Sequence, residues 1–135
     1  MHERLKKYVY DVIGYMHYVH KDLGPGLPEY IYQEALTKHL RKMGEDPKKE
    51  VQIHPTFDGE TLDAYVKMDL AIPRAMGNII VECKSITKLG ERERFQTFGY
   101  LRSSGFPIAI LVNFGTWPKA EIERYYYKES KIWAF

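Results

Sequence analysis

The spacing of apolar residues in the first third of the chain predicts two helices. Apolar side chains recur at helical spacing over about residues 3–22, which is typical of an amphipathic helix. A Gly-Pro-Gly sequence at 24–26 interrupts this pattern. A second helix is predicted from near Leu27, with Pro28 in its first turn, to a stop at Gly44.

The middle of the chain alternates between apolar and polar residues, which predicts strands. Residues 51–57 lead into Asp58-Gly59, a strong hairpin turn, and a returning strand is expected over roughly 61–72. In that strand, Met68, Leu70 and Ile72 are expected to share one face. A third strand over residues 79–85 follows a turn.

The last third predicts a helix between two strands. A helix is expected from about Glu91 to Ser104, closed by Gly105, and it leads into a continuous apolar run at 108–112. A strand, a crossover helix and a second strand of these lengths form a right-handed βαβ unit. Residues 121–127 fit a last strand or a short helix, followed by a tail.

The predicted order is therefore ααβββαβ plus a C-terminal element. We expect an α/β (α+β) mixed sheet with helices on both faces. At 135 residues the chain is long enough for one core and too short for two, so residues 1–135 are expected to form a single domain.

Composition narrows the class of protein without identifying it. Hydrophobic residues make up 44% of the chain and charged residues 28%, which is an ordinary globular balance. The net charge of +2 is too small to indicate a nucleic-acid partner by itself. One cysteine excludes an internal disulfide, and no apolar run is as long as a membrane span. These features predict a cytoplasmic protein without a membrane segment.

Three charged residues on the central strands are candidates for chemistry. Side chains alternate between the faces of a strand, so Glu82 and Lys84 point the same way while Cys83 points the other way. Asp69 would reach the same place from the preceding strand. Carboxylate oxygens are the ligands that Mg²⁺ takes from proteins, so Asp69 and Glu82 are predicted metal ligands.

Several short motifs resemble one protein family. Residues 26–32, Gly-Leu-Pro-Glu-Tyr-Ile-Tyr, read as Gly-x-x-Glu-x-x-Tyr, and the chain is similar to the GxxExxY protein family, a branch of the PD-(D/E)XK nuclease-like superfamily. Met68 stands before Asp69, where the name of the superfamily has proline. The other matching residues, in chain order, are Asp69, Glu82-Cys83-Lys84, Gln96-x-x-x-Tyr100 and Asn113-Phe114-Gly115.

The resemblance implies a restriction-endonuclease-like PD-(D/E)XK core and a Mg²⁺-dependent nuclease that cleaves phosphodiester bonds of DNA or RNA, with Mn²⁺ able to substitute. Lys84 would orient the attacking water or stabilise negative charge. Glu29 would hold a metal-bound water, and Gln96 and Tyr100, four residues apart on a helix, would face the same site. Arg92, one turn before Gln96, is a candidate phosphate contact.

Each of these residues also has an ordinary structural interpretation. Glu29 falls in the first turn of a helix, where the helix dipole favours an acid. Glu82 and Lys84 fit a charged strand pair, and Gln96 and Tyr100 fit a solvated helix face. At the level of function, the alternative is a catalytically inactive nucleic-acid-binding or regulatory protein-interaction module on the same fold.

The aromatic C-terminal region leaves several interpretations open. Its side chains could stack on bases, cover a sheet edge or form a subunit contact, and the last of these would make the protein a homodimer. The residues concerned are Tyr125, Tyr126, Tyr127, Trp133 and Phe135.

Overall fold

The computed structural model describes residues 1–135 and confirms the mixed α/β fold. Its helices are α1 (Glu3–Leu23), α2 (Glu29–Lys42) and α3 (Glu91–Ser104). Its strands are β1 (Lys48–Ile53), β2 (Thr56–Phe57), β3 (Glu60–Thr61), β4 (Val66–Ile72), β5 (Ile79–Lys84), β6 (Ile108–Asn113), β7 (Glu121–Lys128) and β8 (Lys131–Ala134). None of the three helices has both the length and the apolar character needed to cross a membrane.

Six of the strands form one sheet in the order β1-β4-β5-β6-β7-β8. Strands β5 and β6 pair in parallel because α3 carries the chain from one to the other, as the predicted βαβ unit requires. All other neighbours in this sheet are antiparallel, and β2 and β3 form a separate small hairpin.

Alternation along β5 divides the core into two layers. Ile79, Val81 and Cys83 pack on the side of the sheet that α1 and α2 cover. Ile80 packs on the opposite side with Leu101 of α3. Because residues 80, 82 and 84 share a face of the strand, Glu82 and Lys84 lie on the α3 side.

The connection between α1 and α2 is fixed by the tyrosine of the Gly-x-x-Glu-x-x-Tyr motif. The Tyr32 hydroxyl donates to the Gly24 carbonyl and accepts from the Leu27 amide at 3.2 Å, and the ring stacks on Phe114 with centroids 4.6 Å apart. Residues 24–28 are thereby held as a loop. Helix α2 therefore begins at Glu29, two residues later than predicted, and ends at Lys42 instead of Gly44.

Two predicted strands have different bounds in the structure. The Asp58-Gly59 turn is present, with positive φ at both residues, but it joins only β2 and β3. The strand predicted over 61–72 is interrupted after Thr61 and resumes at Val66. Strand β1 starts earlier than expected, at Lys48, because its partner is β4 itself.

The C-terminal segment is a hairpin of β7 and β8 rather than a helix or an irregular tail. Glu129 and Ser130 both have positive φ and close the turn between the strands. Strand β8 forms one edge of the six-stranded sheet.

Alternation along β4 is interrupted at Asp69, which corrects one sequence prediction. Met68 packs on the α3 side, while Leu70 and Ile72 pack on the α1 and α2 side. Glu50, opposite Asp69 in the β1–β4 register, has a φ of 54°. The β1–β4 register is the same on both sides of this point, so the two-residue period is broken without an inserted residue.

Candidate active site

The candidate site lies where β4 and β5 separate. Backbone pairing between these strands ends at Leu70 and Val81. Beyond that point two hydrogen bonds from backbone amides to side chains replace the backbone pairing. The Cys83 amide donates to Asp69 Oδ2 at 2.8 Å, and the Asp69 amide donates to Glu82 Oε1 at 3.1 Å. These bonds hold the two acids side by side.

Burial makes this pair of acids electrostatically unfavourable. Glu82 is only 2% exposed, and desolvation followed by the charge of Asp69 raises the pKa of Glu82 well above its usual range. Desolvation also raises the pKa of Asp69, while the Cys83 amide opposes that rise. A nearby cation would relieve both effects.

Lys84 supplies a positive charge beside the acids. Its ammonium group donates to Gln96 Oε1 at 2.7 Å. This bond links the end of β5 to α3. An ammonium group has three donors, and this bond uses one of them. The structure therefore places Lys84 and Gln96, two predicted site residues, in direct contact.

Glu29 reaches the same region from the first turn of α2. The residue is exposed as a whole, but desolvation around its carboxyl group raises its pKa, and the charge of Asp69 raises it further. Lys84 and the Ser85 amide oppose that rise. Glu29 thus lies near the charged side chains of both β4 and β5.

The remaining two predicted residues differ in their placement. Tyr100 is buried on α3, and desolvation, with the charges of Glu82 and Asp69, raises its pKa to about 12. Its hydroxyl is therefore neutral and close to the acids. Arg92 is exposed and forms no ion pair or hydrogen bond with the protein, so the structure does not bring it into contact with the other site residues.

Two neighbours of Asp69 were not among the predicted site residues. The buried Gln33 amide donates to the Asp69 carbonyl at 3.1 Å and to Glu50 Oε1 at 3.4 Å. Glu50 also adds a negative charge that raises the pKa of Asp69. Gln33 lies one helical turn after Glu29, and this spacing was the available signal. Nothing in the sequence around Glu50 distinguishes it from the other acids near the start of β1.

The Asn113-Phe114-Gly115 motif holds the segment that follows β5. The buried Asn113 side chain accepts from the Ile86 amide and donates to the Ile86 carbonyl, both at 3.0 Å. A Cβ on Gly115 would lie 2.3 Å from that carbonyl oxygen, so only glycine fits there. This motif has a structural role in positioning residues next to Lys84.

The donor set fits a hard divalent cation such as Mg²⁺. The backbone amides occupy Asp69 Oδ2 and Glu82 Oε1, and the two carboxyl groups lie within hydrogen-bonding reach of each other. No group of three or more His, Cys, Asp or Glu residues is arranged to hold a metal. Mg²⁺ commonly binds through one or two carboxylates and completes its coordination with water and substrate oxygens, which is what these residues could provide.

Comparison with known families agrees with this arrangement. A protein-family model described as the PD-(D/E)XK nuclease superfamily matches residues 6–125. The chain belongs to the PD-(D/E)XK nuclease superfamily. In this PD-(D/E)XK protein, Glu82-Cys83-Lys84 reads as the (D/E)-X-K element. Searches among curated proteins and among solved structures gave no significant match.

Proposed function

We propose that this PD-(D/E)XK protein is a nuclease that hydrolyses phosphodiester bonds of DNA or RNA with a divalent metal, Mg²⁺, for which Mn²⁺ substitutes. The observation that carries the proposal is the meeting of Asp69, Glu82 and Lys84 where β4 and β5 separate. Buried acids that repel each other are costly for a fold, and an acidic site beside a lysine suits a metal and a phosphate.

In this proposal Asp69 and Glu82 hold the metal through their carboxylate oxygens. When bound, Mg²⁺ would neutralise charge on the phosphate and favour ionisation of a coordinated water. The bonds to the Cys83 and Asp69 amides keep both acids oriented, and the metal would take the place of the contact between the two carboxyl groups. The protein would therefore need little rearrangement to bind the cation.

Lys84 acts on the reacting groups. Its two unused donors would orient the attacking water or stabilise charge on the phosphate, while Gln96 fixes its position. Glu29 would hold a water near the metal, and the neutral Tyr100 would donate to a site oxygen. Arg92 would contact a phosphate outside the centre, since its guanidinium has no partner in the protein.

Lys84→Ala tests this division of roles. We expect the wild type to cleave nucleic acid in Mg²⁺ or Mn²⁺, and Lys84→Ala to lose about 100-fold or more of that activity, the usual effect of removing one charge-stabilising donor. Mn²⁺ binding, measured by calorimetry, should persist in the variant because a positive charge has been removed. Lys38→Ala, which changes an exposed lysine on α2, is the matched control.

Two outcomes would overturn the assignment. Equal cleavage by the wild type and Lys84→Ala would point to a contaminating nuclease or to another site. Metal binding without cleavage of any DNA or RNA would favour the non-catalytic binding module on the same fold.

We further place the chain in the GxxExxY branch of the superfamily. Three observations support this placement: Gly26 has a φ of 108°, Glu29 lies near the acids, and Tyr32 fixes the loop between them. All three motif residues thus lie in or beside the connection between α1 and α2, next to the candidate site. Related sequences in which these three positions vary independently would contradict the placement.

We also propose a cytoplasmic homodimer that assembles through the aromatic C-terminal region. Strand β8 is an open sheet edge, and Trp133 is 44% exposed while it stacks on Tyr126 with centroids 6.0 Å apart. Light scattering should give twice the monomer mass for the wild type and the monomer mass for Trp133→Lys. A monomeric wild type would exclude the dimer, and fractionation of cells would test the location.

A further inference from the structure

A polar cleft of about 660 Å³ opens beside the candidate active site. Three loops meet there, at residues 26–28, 85–87 and 115–117. Pro28 and Ser85, which line it, are the chain neighbours of Glu29 and Lys84. A cleft of this size falls within the range of small-molecule sites, so it has room for part of a nucleotide next to the catalytic groups.

The walls of this cleft are tied to one another. The Ser85 hydroxyl donates to the Leu27 carbonyl at 2.6 Å, which joins the end of β5 to the loop before α2. Asn113 joins Ile86 to the loop after β6. On the far side, His20 Nε2 lies 2.8 Å from the Thr116 carbonyl oxygen. The cleft is therefore largely formed before any ligand enters.

Trp117 forms the outer wall of the cleft and is 75% exposed. The same side chain lines a second hollow of about 490 Å³ with Lys21, Lys119, His17 and His20. Trp117 thus lies between the cleft beside the catalytic groups and a hollow that carries two lysines. Desolvation, with the charge of Lys119, lowers the pKa of His17 and so favours its neutral form.

We propose that Trp117 is a stacking platform for a nucleobase adjacent to the scissile phosphate, and that the substrate is therefore a single-stranded or locally unpaired segment. The inference deepens the proposed nuclease function and rests on it. A base inside a duplex is already stacked, so only an unpaired base offers a free face to an exposed indole. Lys21 and Lys119 take a phosphate of the neighbouring nucleotide.

The order of groups along this surface favours a nucleic-acid strand over an uncharged ligand. The cleft begins at Pro28 and Ser85, the chain neighbours of Glu29 and Lys84, the exposed indole of Trp117 follows, and Lys21 and Lys119 lie in the hollow beyond it. Alternating cationic and aromatic groups are how proteins bind single strands without reading their sequence. The net charge of +2 hides this local arrangement.

Fluorescence of Trp117 tests the platform without requiring catalysis. The chain has two tryptophans, so Trp133→Phe leaves Trp117 as the sole indole. Titration of this variant in EDTA with a 12-nucleotide oligothymidine or oligouridine should quench the emission saturably. In Trp117→Phe the remaining Trp133 should show no comparable quenching, and a duplex of the same length should bind at least tenfold more weakly.

Affinity measurements give a second readout. Trp117→Ala should weaken binding of the single strand by about 5- to 150-fold, the usual range for one base-stacking contact. Phe57→Ala is the matched control because Phe57 is 74% exposed and does not line the cleft. Lys119→Ala should lower the slope of affinity against salt by about 0.7, whereas Lys38→Ala should leave it unchanged.

The outcomes separate this inference from the nuclease assignment. Saturable quenching by single strands without any cleavage in Mg²⁺ would support the platform and contradict catalysis. Cleavage by a protein whose Trp117 emission does not respond to any oligonucleotide would overturn the platform and leave the nuclease assignment intact. Duplex binding as tight as single-strand binding would also overturn it.

Discussion

At the scale of single residues, Glu82 is the clearest case of a side chain whose burial lowers the stability of the fold. It is almost fully buried, it faces Asp69, and its pKa is raised by desolvation and by that neighbouring charge. A core position of this kind is normally apolar. The proposed cation would offset this repulsion.

We therefore expect Glu82→Gln to stabilise the protein when no metal is present. The glutamine keeps an oxygen that can accept from the Asp69 amide, and it removes the cost of burying a carboxyl group whose pKa is raised well above its usual range. Thermal unfolding in EDTA at pH 7.5 should give a higher Tm, by about 3–5 °C for each kcal/mol gained. Mn²⁺ should raise the Tm of the wild type and leave that of Glu82→Gln unchanged.

Glu34→Gln is the control because Glu34 is exposed on α2. A Tm of Glu82→Gln in EDTA that falls below the wild-type value would show that the Glu82 carboxyl group already contributes favourably to the metal-free fold. Glu82 would then have an adequate structural role without a metal.

At the scale of elements, α3 is fixed over the sheet by an ion pair at its start. The Arg94 guanidinium donates to both oxygens of Glu123 on β7, at 2.8 and 2.7 Å, and the Tyr125 hydroxyl donates to the same carboxylate. Because α3 carries Gln96 and Tyr100, this link helps to hold two candidate site residues above β5.

This link predicts a dependence of stability on pH. The bonds from Arg94 lower the pKa of Glu123 below its usual value of 4.5. A lowered pKa stabilises the folded state above the unfolded-state pKa, and that stabilisation is lost as the pH falls through the folded-state value. Glu123→Gln should therefore lower the Tm at pH 7, and its difference from the wild type should shrink below about pH 4.5.

Glu129→Gln, in the exposed turn between β7 and β8, is the control for this measurement. The effect should be moderate, a few degrees at most, because both partners remain partly exposed to solvent. A difference in Tm that stays constant from pH 7 to pH 3 would show that packing at position 123 matters and the ion pair does not.

The local sequence pattern was sufficient to predict most of the helices and strands. Helix α3 has the predicted bounds, and α1 ends within one residue of the prediction, because glycine stops and apolar spacing are properties of short segments. Alternation also placed Glu82 and Lys84 on one face of β5. Alternation failed on β4 between Met68 and Leu70, where the neighbouring strand β1 is also irregular at Glu50, and the sequence of β4 carries no information about its neighbour.

The contacts that define the site could not be read from local pattern. Gln33 reaches the Asp69 carbonyl across 36 residues, and Asn113 reaches Ile86 across 27. No periodicity in a single segment reports which loops meet in the folded chain. For the same reason, no local pattern marks Trp117, since the cleft that it lines is formed by three separate loops.

At the scale of the whole molecule, three chain segments meet at the end of the sheet where the candidate site lies. The carboxyl end of β5, the loop after β6 and the start of α2 all meet beside the gap between β4 and β5. Loops held on a rigid sheet are where binding and catalytic residues concentrate. At this end of the sheet a metal site, a lysine and an aromatic platform would act on one strand of nucleic acid.

A crystal soaked in Mn²⁺ tests the central claim most directly. The account predicts an anomalous peak between Asp69 and Glu82, with one oxygen of each carboxylate about 2.0–2.3 Å from the ion. The same peak should be present in Lys84→Ala and absent in Glu82→Gln. Mn²⁺ at saturating concentration that leaves this position empty, or that binds elsewhere on the protein, would contradict the account.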